Sequence, residues 1–302
     1  MATLKLHQPI NMTTLQAWDG EFTIADSTQI RATDGVRTQD YFGTFQYSND
    51  DLSGGTLTST VAYQNGLYYE VTDLNIDALT MAGYINNFDF KGALNEVLKG
   101  NDTLIGSGGN DVLTGGAGND HFDGGAGLDT VAYSNGRADV TATAADGGYV
   151  LQMPGKTDTL VNIERASFGD GSTLALDVGQ GQNAGAAYRL YQAAFDRKPD
   201  TGGLKYWVER LDTDLTLTQA AQLFVESPEF KKVNTDQSNT GLITSYYQHV
   251  LNREPDSGGL AYWENAMSKG EANAAYMLAA FSESAENVAN TAAALDGGIW
   301  LA

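Results

Sequence analysis

The sequence predicts a multidomain α+β protein: a β-rich N-terminal domain closed by helices over residues 1–98, a short parallel β-roll with capping strands over 99–178, and an all-α domain over 179–302. Three observations carry this expectation. Alternating β-prone runs flank Gln64-Asn65-Gly66, aspartates recur at a spacing of nine between Asp102 and Asp129, and a seventeen-residue segment with helical spacing occurs twice.

In the first region, Tyr41, Gly43, Phe45 and Tyr47 fall on alternate positions, and Leu57 to Tyr63 and Leu67 to Val71 border the Asn-Gly pair. Asn-Gly between two such runs is a strong hairpin signal, because both residues accept the positive φ of a tight two-residue turn. From Asp77 the period changes. Leu79, Met81, Tyr84, Ile85 and Phe88 fit one helix, and Phe90, Ala93, Leu94, Val97 and Leu98 fit a second. The aromatics of this region are expected in its core.

The middle region reads GNDTLI GSGGNDVLT GGAGNDHFD GGAGLDTVA from Gly100 to Ala132. Asp102, Asp111, Asp120 and Asp129 each follow glycines (Gly100; Gly106, Gly108, Gly109; Gly115, Gly116, Gly118; Gly124, Gly125, Gly127) and precede a triplet centred on Leu104, Leu113, Phe122 or Val131. Glycine lets the backbone turn tightly and aim carbonyl oxygens inward. The apolar centre of each triplet marks a short strand with one side chain in a core. A flexible glycine-rich linker would carry no hydrophobe on a fixed period. Loop and strand in alternation wind a spiral with two nonapeptides per turn, which places Asp102 against Asp120 and Asp111 against Asp129. Two carboxylates with glycine-loop carbonyls make an all-oxygen cage, suited to Ca2+ rather than zinc.

This stretch resembles the RTX nonapeptide repeat, G-G-x-G-x-D-x-U-x, of calcium-binding parallel β-rolls. Gly115 to Asp123 fits throughout, Ser107 replaces a glycine in the preceding unit, and Leu128 stands where Asn is usual. The resemblance implies a secreted, extracellular or cell-surface protein that leaves a Gram-negative bacterium through type I secretion machinery by an uncleaved C-terminal signal. Gly298-Ile299-Trp300-Leu301-Ala302 is compatible with such a signal.

Residues 133–178 resemble the strand-rich ending common behind RTX arrays, with Val140 to Thr143 and Tyr149 to Met153 able to pair. Lys156-Thr157-Asp158-Thr159-Leu160 echoes the earlier Asn-Asp-Thr-Leu, so Asp158 is an extra candidate ligand; Glu164 and Asp170 read as turn or rim carboxylates. Two motifs are decoys. Gly155-Lys156-Thr157 lacks the upstream glycine of a phosphate loop, since position 150 is Val150. Gly179-Gln180-Gly181-Gln182-Asn183-Ala184 mimics a dinucleotide fingerprint, yet another helix follows it where a second parallel strand is required.

The third region is duplicated. Tyr191 to Trp207 returns as Tyr247 to Trp263 with ten of seventeen positions identical. In each copy a helix ends at a proline-containing turn and a second begins, as Leu204, Trp207, Val208 and Leu211 illustrate; Ser227 before Pro228 is a cap followed by an N1 proline. Asp200 and Asp256 read as helix N-caps, and Arg197 and Arg253 as turn-holding donors. This half resembles a helical family of unassigned function that accompanies RTX repeats and is similar to the phycobilisome linker repeat, which implies interaction rather than chemistry.

Composition narrows the function. The 302 residues carry a net charge of −21 and no cysteine. Such acidity opposes binding to nucleic acid or anionic membranes and calls for bound cations before the chain can compact. Without disulfides, metal-coupled folding is the natural source of stability outside the cell. No apolar run reaches the length of a membrane span. No catalytic residues are expected: thiols are absent, and His7, His121 and His249 lie in different regions without metalloprotease spacing. The leading expectation is a non-enzymatic calcium-binding structural protein that self-assembles into an S-layer-like or biofilm-matrix sheet. The alternatives are a calcium-dependent adhesin or carbohydrate-binding module with a cell-surface glycan partner and, more remotely, an extracellular hydrolase.

Overall fold

The computed structural model describes residues 1–301; the chain divides into one compact unit, Met1–Gly171, and a second from Ser172 onward. The architecture is α+β, with a long β-rich region followed by helices from Asn183. Ala302, the last residue of the apolar ending read as a secretion signal, lies outside the described residues.

The first unit begins with β1 (Thr3–Leu6), followed by β2 (Glu21–Ala25), β3 (Gln29–Thr33), β4 (Arg37–Ser48), β5 (Asp51–Gln64), β6 (Leu67–Thr72) and the short β7 (Ile76–Asp77). Asn65 and Gly66 both take positive φ and close the β5–β6 hairpin. Asp77 then caps α1 (Ala78–Asn86) by accepting the Thr80 amide at 2.8 Å, and Asp89 caps α2 (Phe90–Val97) by accepting the Gly92 amide. α1 packs on β5, burying Ala78 and Met81 with Leu57, Val71 and Ile76.

The nonapeptides supply β8 (Thr103–Ile105), β9 (Val112–Leu113), β10 (His121–Asp123) and β11 (Thr130–Ala132), and the chain continues through β12 (Thr141–Ala145), β13 (Gly148–Met153), β14 (Lys156–Val161) and β15 (Arg165–Ser167). These strands line two walls. One stacks Leu4, Leu104, Phe122 and Leu160 through the parallel pairs β1–β8, β8–β10 and β10–β14. The other stacks Leu113, Val131 and Ala166 through β9–β11 and β11–β15. Leu104, Leu113, Phe122 and Val131 are wholly buried, as the nine-residue hydrophobic period requires. Each such burial contributes roughly 2 kcal/mol.

Residues 1–12 form the first coil of this roll although they contain neither the glycines nor the aspartates of the repeat. Thr3-Leu4-Lys5 pairs in parallel with Thr103-Leu104-Ile105, and Asn11 bridges Val112. On its other side β1 pairs antiparallel with β6. The first wall therefore continues into the antiparallel strands as a twelve-stranded sheet ordered β12-β13-β14-β10-β8-β1-β6-β5-β4-β3-β2, with β7 beside β5.

The second unit opens with β16 (Thr173–Ala175), which pairs antiparallel with the closing β17 (Ile299–Trp300). Between them lie α3 (Asn183–Phe195), α4 (Thr201–Thr213), α5 (Leu217–Glu226), α6 (Pro228–Val233), α7 (Asn239–Leu251), α8 (Ser257–Ser268), α9 (Ala274–Ser282) and α10 (Ala285–Leu295). The duplication is visible in the caps. α3 and α7 end on Asp196 and Asn252 in the left-handed region, and Asp200 and Asp256 each accept an N3 amide at 2.8 Å to start α4 and α8. Arg197 bonds Glu229 and lies over the Tyr191 ring, and Arg253 repeats this with Glu286 and Tyr247. Ser227 caps α6, with Pro228 at its first position. The core gathers Tyr191, Phe195, Phe224, Phe230, Tyr246 and Phe281. Arg189, 1% exposed, is held by Glu283 (2.6 and 2.9 Å) and by the carbonyls of Val178 and Gly179. Among the described residues no helix is long and apolar enough to cross a membrane.

Candidate metal centre

The glycine loops stack along the two edges of the roll. Gly116, Gly118, Gly125 and Gly127 all adopt positive φ. At Gly118 the demand is doubled, because a β-carbon there would lie 2.0 Å from the Gly100 carbonyl oxygen of the loop eighteen residues earlier. A β-carbon at Gly116 would lie 2.4 Å from the Leu98 carbonyl oxygen, and those at Gly125 and Gly127 would crowd the backbone of Ser107 and Gly109. Gly115 and Gly124 abut the carboxylates of Asp120 and Asp129, while Gly106 meets the Gly124 carbonyl. Gly109 packs on Pro9 of the first coil, Gly100 lies beside the first residues of the chain, and Gly108 has open space around it.

The aspartates behind these loops form two ladders. On one edge the Asp102 amide donates to Asp120 Oδ1 at 2.9 Å, and the Asp120 amide to Asp158 Oδ1 at 2.8 Å. On the other, the Asp111 amide donates to Asp129 Oδ1 and the Asp129 amide to Glu164 Oε2, both at 2.8 Å. The first coil completes each ladder: the Ala2 amide donates to Asp102 and the Ile10 amide to Asp111. Asp102, Asp111, Asp120, Asp129 and Asp158 are all buried.

Each ladder uses one oxygen of each aspartate and leaves the second. Asp111 Oδ2 accepts from the Ser107 amide and hydroxyl, so the serine that replaces a repeat glycine satisfies the carboxylate of its own loop. Asp120 Oδ2 accepts from Lys156 Nζ. Among the described residues the Oδ2 atoms of Asp102 and Asp129 are buried without a hydrogen-bond partner, whereas the Asp158 carboxylate has the Tyr133 hydroxyl beside it and Lys156 Nζ 3.3 Å from its Oδ2.

Burial pushes the Asp129 carboxyl up to about 7, and repulsion from Glu164, Asp111 and Asp123 adds to the shift against the opposing Asp111 amide. Burial also raises Asp120 and Asp158, opposed at both by Lys156. A buried carboxylate with an unused oxygen is costly unless a cation reaches it. The donors are all oxygen, which suits a hard cation of tolerant geometry. Among the described residues no three acidic or imidazole side chains converge on one point, so a cation held here would need loop carbonyls as well as carboxylates.

Glu164, Lys156, Ala2 and Ile10 take part in these ladders although the nonapeptide pattern does not include them. Their signal is register. Ala2-Thr3-Leu4 aligns with Asp102-Thr103-Leu104, and Glu164-Arg165-Ala166 with Asp129-Thr130-Val131. His121 is exposed on the outer face.

Two family models match the chain. The RTX calcium-binding nonapeptide repeat covers residues 99–131, and the domain of unknown function DUF4214 covers residues 180–234 and 221–291. The RTX repeat is a calcium-binding motif, and its match spans the stacked loops. No curated protein and no solved structure matches the chain.

Proposed function

We propose that this is a secreted, non-enzymatic structural protein whose roll is completed by calcium and which self-associates outside the cell. The observation that carries the calcium reading is the pair of buried, partnerless oxygens, Asp102 Oδ2 and Asp129 Oδ2, one on each edge of the roll. Asp102, Asp111, Asp120 and Asp129 would hold the ions with carbonyls of the glycine loops, and Asp158 stands at the end of one ladder. When bound, calcium would supply the positive charge that lets these carboxylates stay ionised while buried. If each site has a Kd of about 0.1 mM, then about 1 mM calcium stabilises the fold by roughly 1.4 kcal/mol per site. Cytosolic calcium lies far below such a Kd. The calcium-requiring loops would then stay loose for export through type I secretion machinery and order outside.

Exposed apolar groups support self-association. β2 ends the twelve-stranded sheet as an unpaired edge with Phe22 61% exposed, and unprotected edges are templates for strand addition. In the helical unit Tyr206 and Tyr262, equivalent positions of the duplicated motif, are both exposed. Light scattering and electron microscopy of the purified chain, with millimolar calcium and with chelator, test the reading: calcium-dependent sheets or particles are expected. Monodisperse monomers under both conditions would remove the assembly part of it.

A second reading, an adhesin or carbohydrate-binding module, is favoured by one feature. The first unit carries an open pocket of about 260 Å³ lined by Trp18, Tyr41, Tyr69, Tyr84 and Phe90 with Gln39. Glycan binding by the full chain that is lost in Trp18→Ala would raise this reading above the first.

A further inference from the structure

The two edges of the roll differ in what already occupies them. On the Asp120 edge, Lys156 Nζ donates to Asp120 Oδ2 at 2.8 Å and to the Gly116 carbonyl at 2.9 Å, and lies 3.3 Å from Asp158 Oδ2. Its side chain is 16% exposed and its ammonium stands 5.7 Å from the centre of the Tyr133 ring, which is stacked on Phe168. The ammonium thus has two carboxylate oxygens, a glycine-loop carbonyl and an aromatic wall. Those three oxygens are the kind that a calcium ion between stacked loops would use.

The backbone around Lys156 explains why a side chain stands there. Lys156 lies two residues before Asp158, where Gly118 lies two before Asp120, but the segment from Met153 to Lys156 is the β13–β14 hairpin turn rather than a glycine loop. Gly155 carries the positive φ in this turn and Lys156 does not. The turn therefore departs from the loop that aims its carbonyls inward, and a long cationic side chain supplies the missing charge.

We propose that the Lys156 ammonium is a built-in counterion that takes the cation position between Asp120 and Asp158, closing this slot to calcium and leaving the ion to the other loop pairs. The assignment rests on the calcium reading of the roll. An ion in this slot would need the same oxygens at about 2.3–2.6 Å, the space the ammonium fills. On the opposite edge the corresponding final rung, Asp129 to Glu164, leaves Asp129 Oδ2 without a partner. The consequence is a coil at the C-terminal end of the roll that carries its own cation and offers a preformed surface on which the calcium-requiring loops stack.

The test uses the full chain stripped with chelator. Calcium bound at saturation is counted for the wild type and for Lys156→Gly, which restores the repeat glycine and empties the slot; one additional ion per chain is expected in the variant. Independently of how that variant folds, acylation of Lys156 in the wild type is followed by peptide mass spectrometry with calcium and with chelator. Modification slower than at exposed Lys5 is expected in both conditions. Equal ion counts in the two chains, or a Lys156 that becomes as reactive as Lys5 once calcium is added, overturns the lysine assignment and leaves the calcium reading standing. A wild-type chain that binds no calcium overturns the calcium reading itself.

Discussion

The Ile10 amide donates to Asp111 Oδ1 at 2.6 Å, joining residues 101 apart in sequence and seating a segment without glycine or aspartate beneath the first full nonapeptide. Ile10→Pro removes this donor and leaves the buried carboxylate short of a partner. A loss of at least about 1–3 kcal/mol follows from the stranded carboxylate, with more from the lost core side chain of Ile10, which is buried; both are measurable by urea unfolding in calcium and in chelator. Unchanged midpoints would mean that the first coil contributes nothing to the roll.

Asp129→Asn should split the two states of the protein. Without metal the neutral amide relieves a buried charge whose Oδ2 has no partner, so the chelated variant should melt above the chelated wild type at pH 7.5. With calcium it should melt below, because a carboxylate ligand is gone. Scanning calorimetry of both chains in both conditions decides this, and a chelated variant that melts lower than wild type contradicts it.

Stability of the metal-free protein should fall as pH rises from about 4 to about 7. In that window the folded Asp129 carboxyl, raised from 3.8 to about 7, keeps a proton that the unfolded chain has released. The native state binds more protons than the unfolded one, so raising the pH favours unfolding. Asp34, held down to about 2 by the Arg37 and Val36 amides and the Arg37 side chain, contributes with opposite sign, and only below pH 4. Calcium should flatten the slope between 4 and 7. A chelated protein whose melting temperature climbs across that range would show that Asp129 does not govern it.

In the helical unit, Glu283→Ala strands the guanidinium of Arg189 in a site where it is 1% exposed. Removal of one partner of such a pair costs about 3–5 kcal/mol. Replacing both by apolar residues, Arg189→Met with Glu283→Leu, should recover part of that loss. Denaturant titration of the three chains measures it, and a single variant as stable as wild type would show that the two backbone carbonyls suffice for the arginine.

The nonapeptide strands, the Asn65-Gly66 hairpin and the paired caps at Asp200 and Asp256 were legible because each depends on local chemistry: a period, a turn dipeptide, a short side chain ahead of a helix. The ends of the roll were less so. Thr3-Leu4-Lys5 joins it through register with Thr103-Leu104-Ile105, and only Thr and Leu recur between the two. Glu164 reads as a rim carboxylate until the chain's return places it above Asp129. Lys156 reads as part of a false phosphate loop, and its place follows from a hairpin that carries it back over Gly116. The bond from Arg189 to Glu283 spans 94 residues and has no local signature.

Because β1 is shared by the roll and the antiparallel strands, it sits in the interior of one continuous hydrogen-bonded ribbon. Should it detach when the coils beneath it slacken, the ribbon would part at its middle rather than fray from its ends. β6 and β8 would then present two raw rows of unpaired amides and carbonyls, making the ion-depleted molecule the one most prone to indiscriminate sticking.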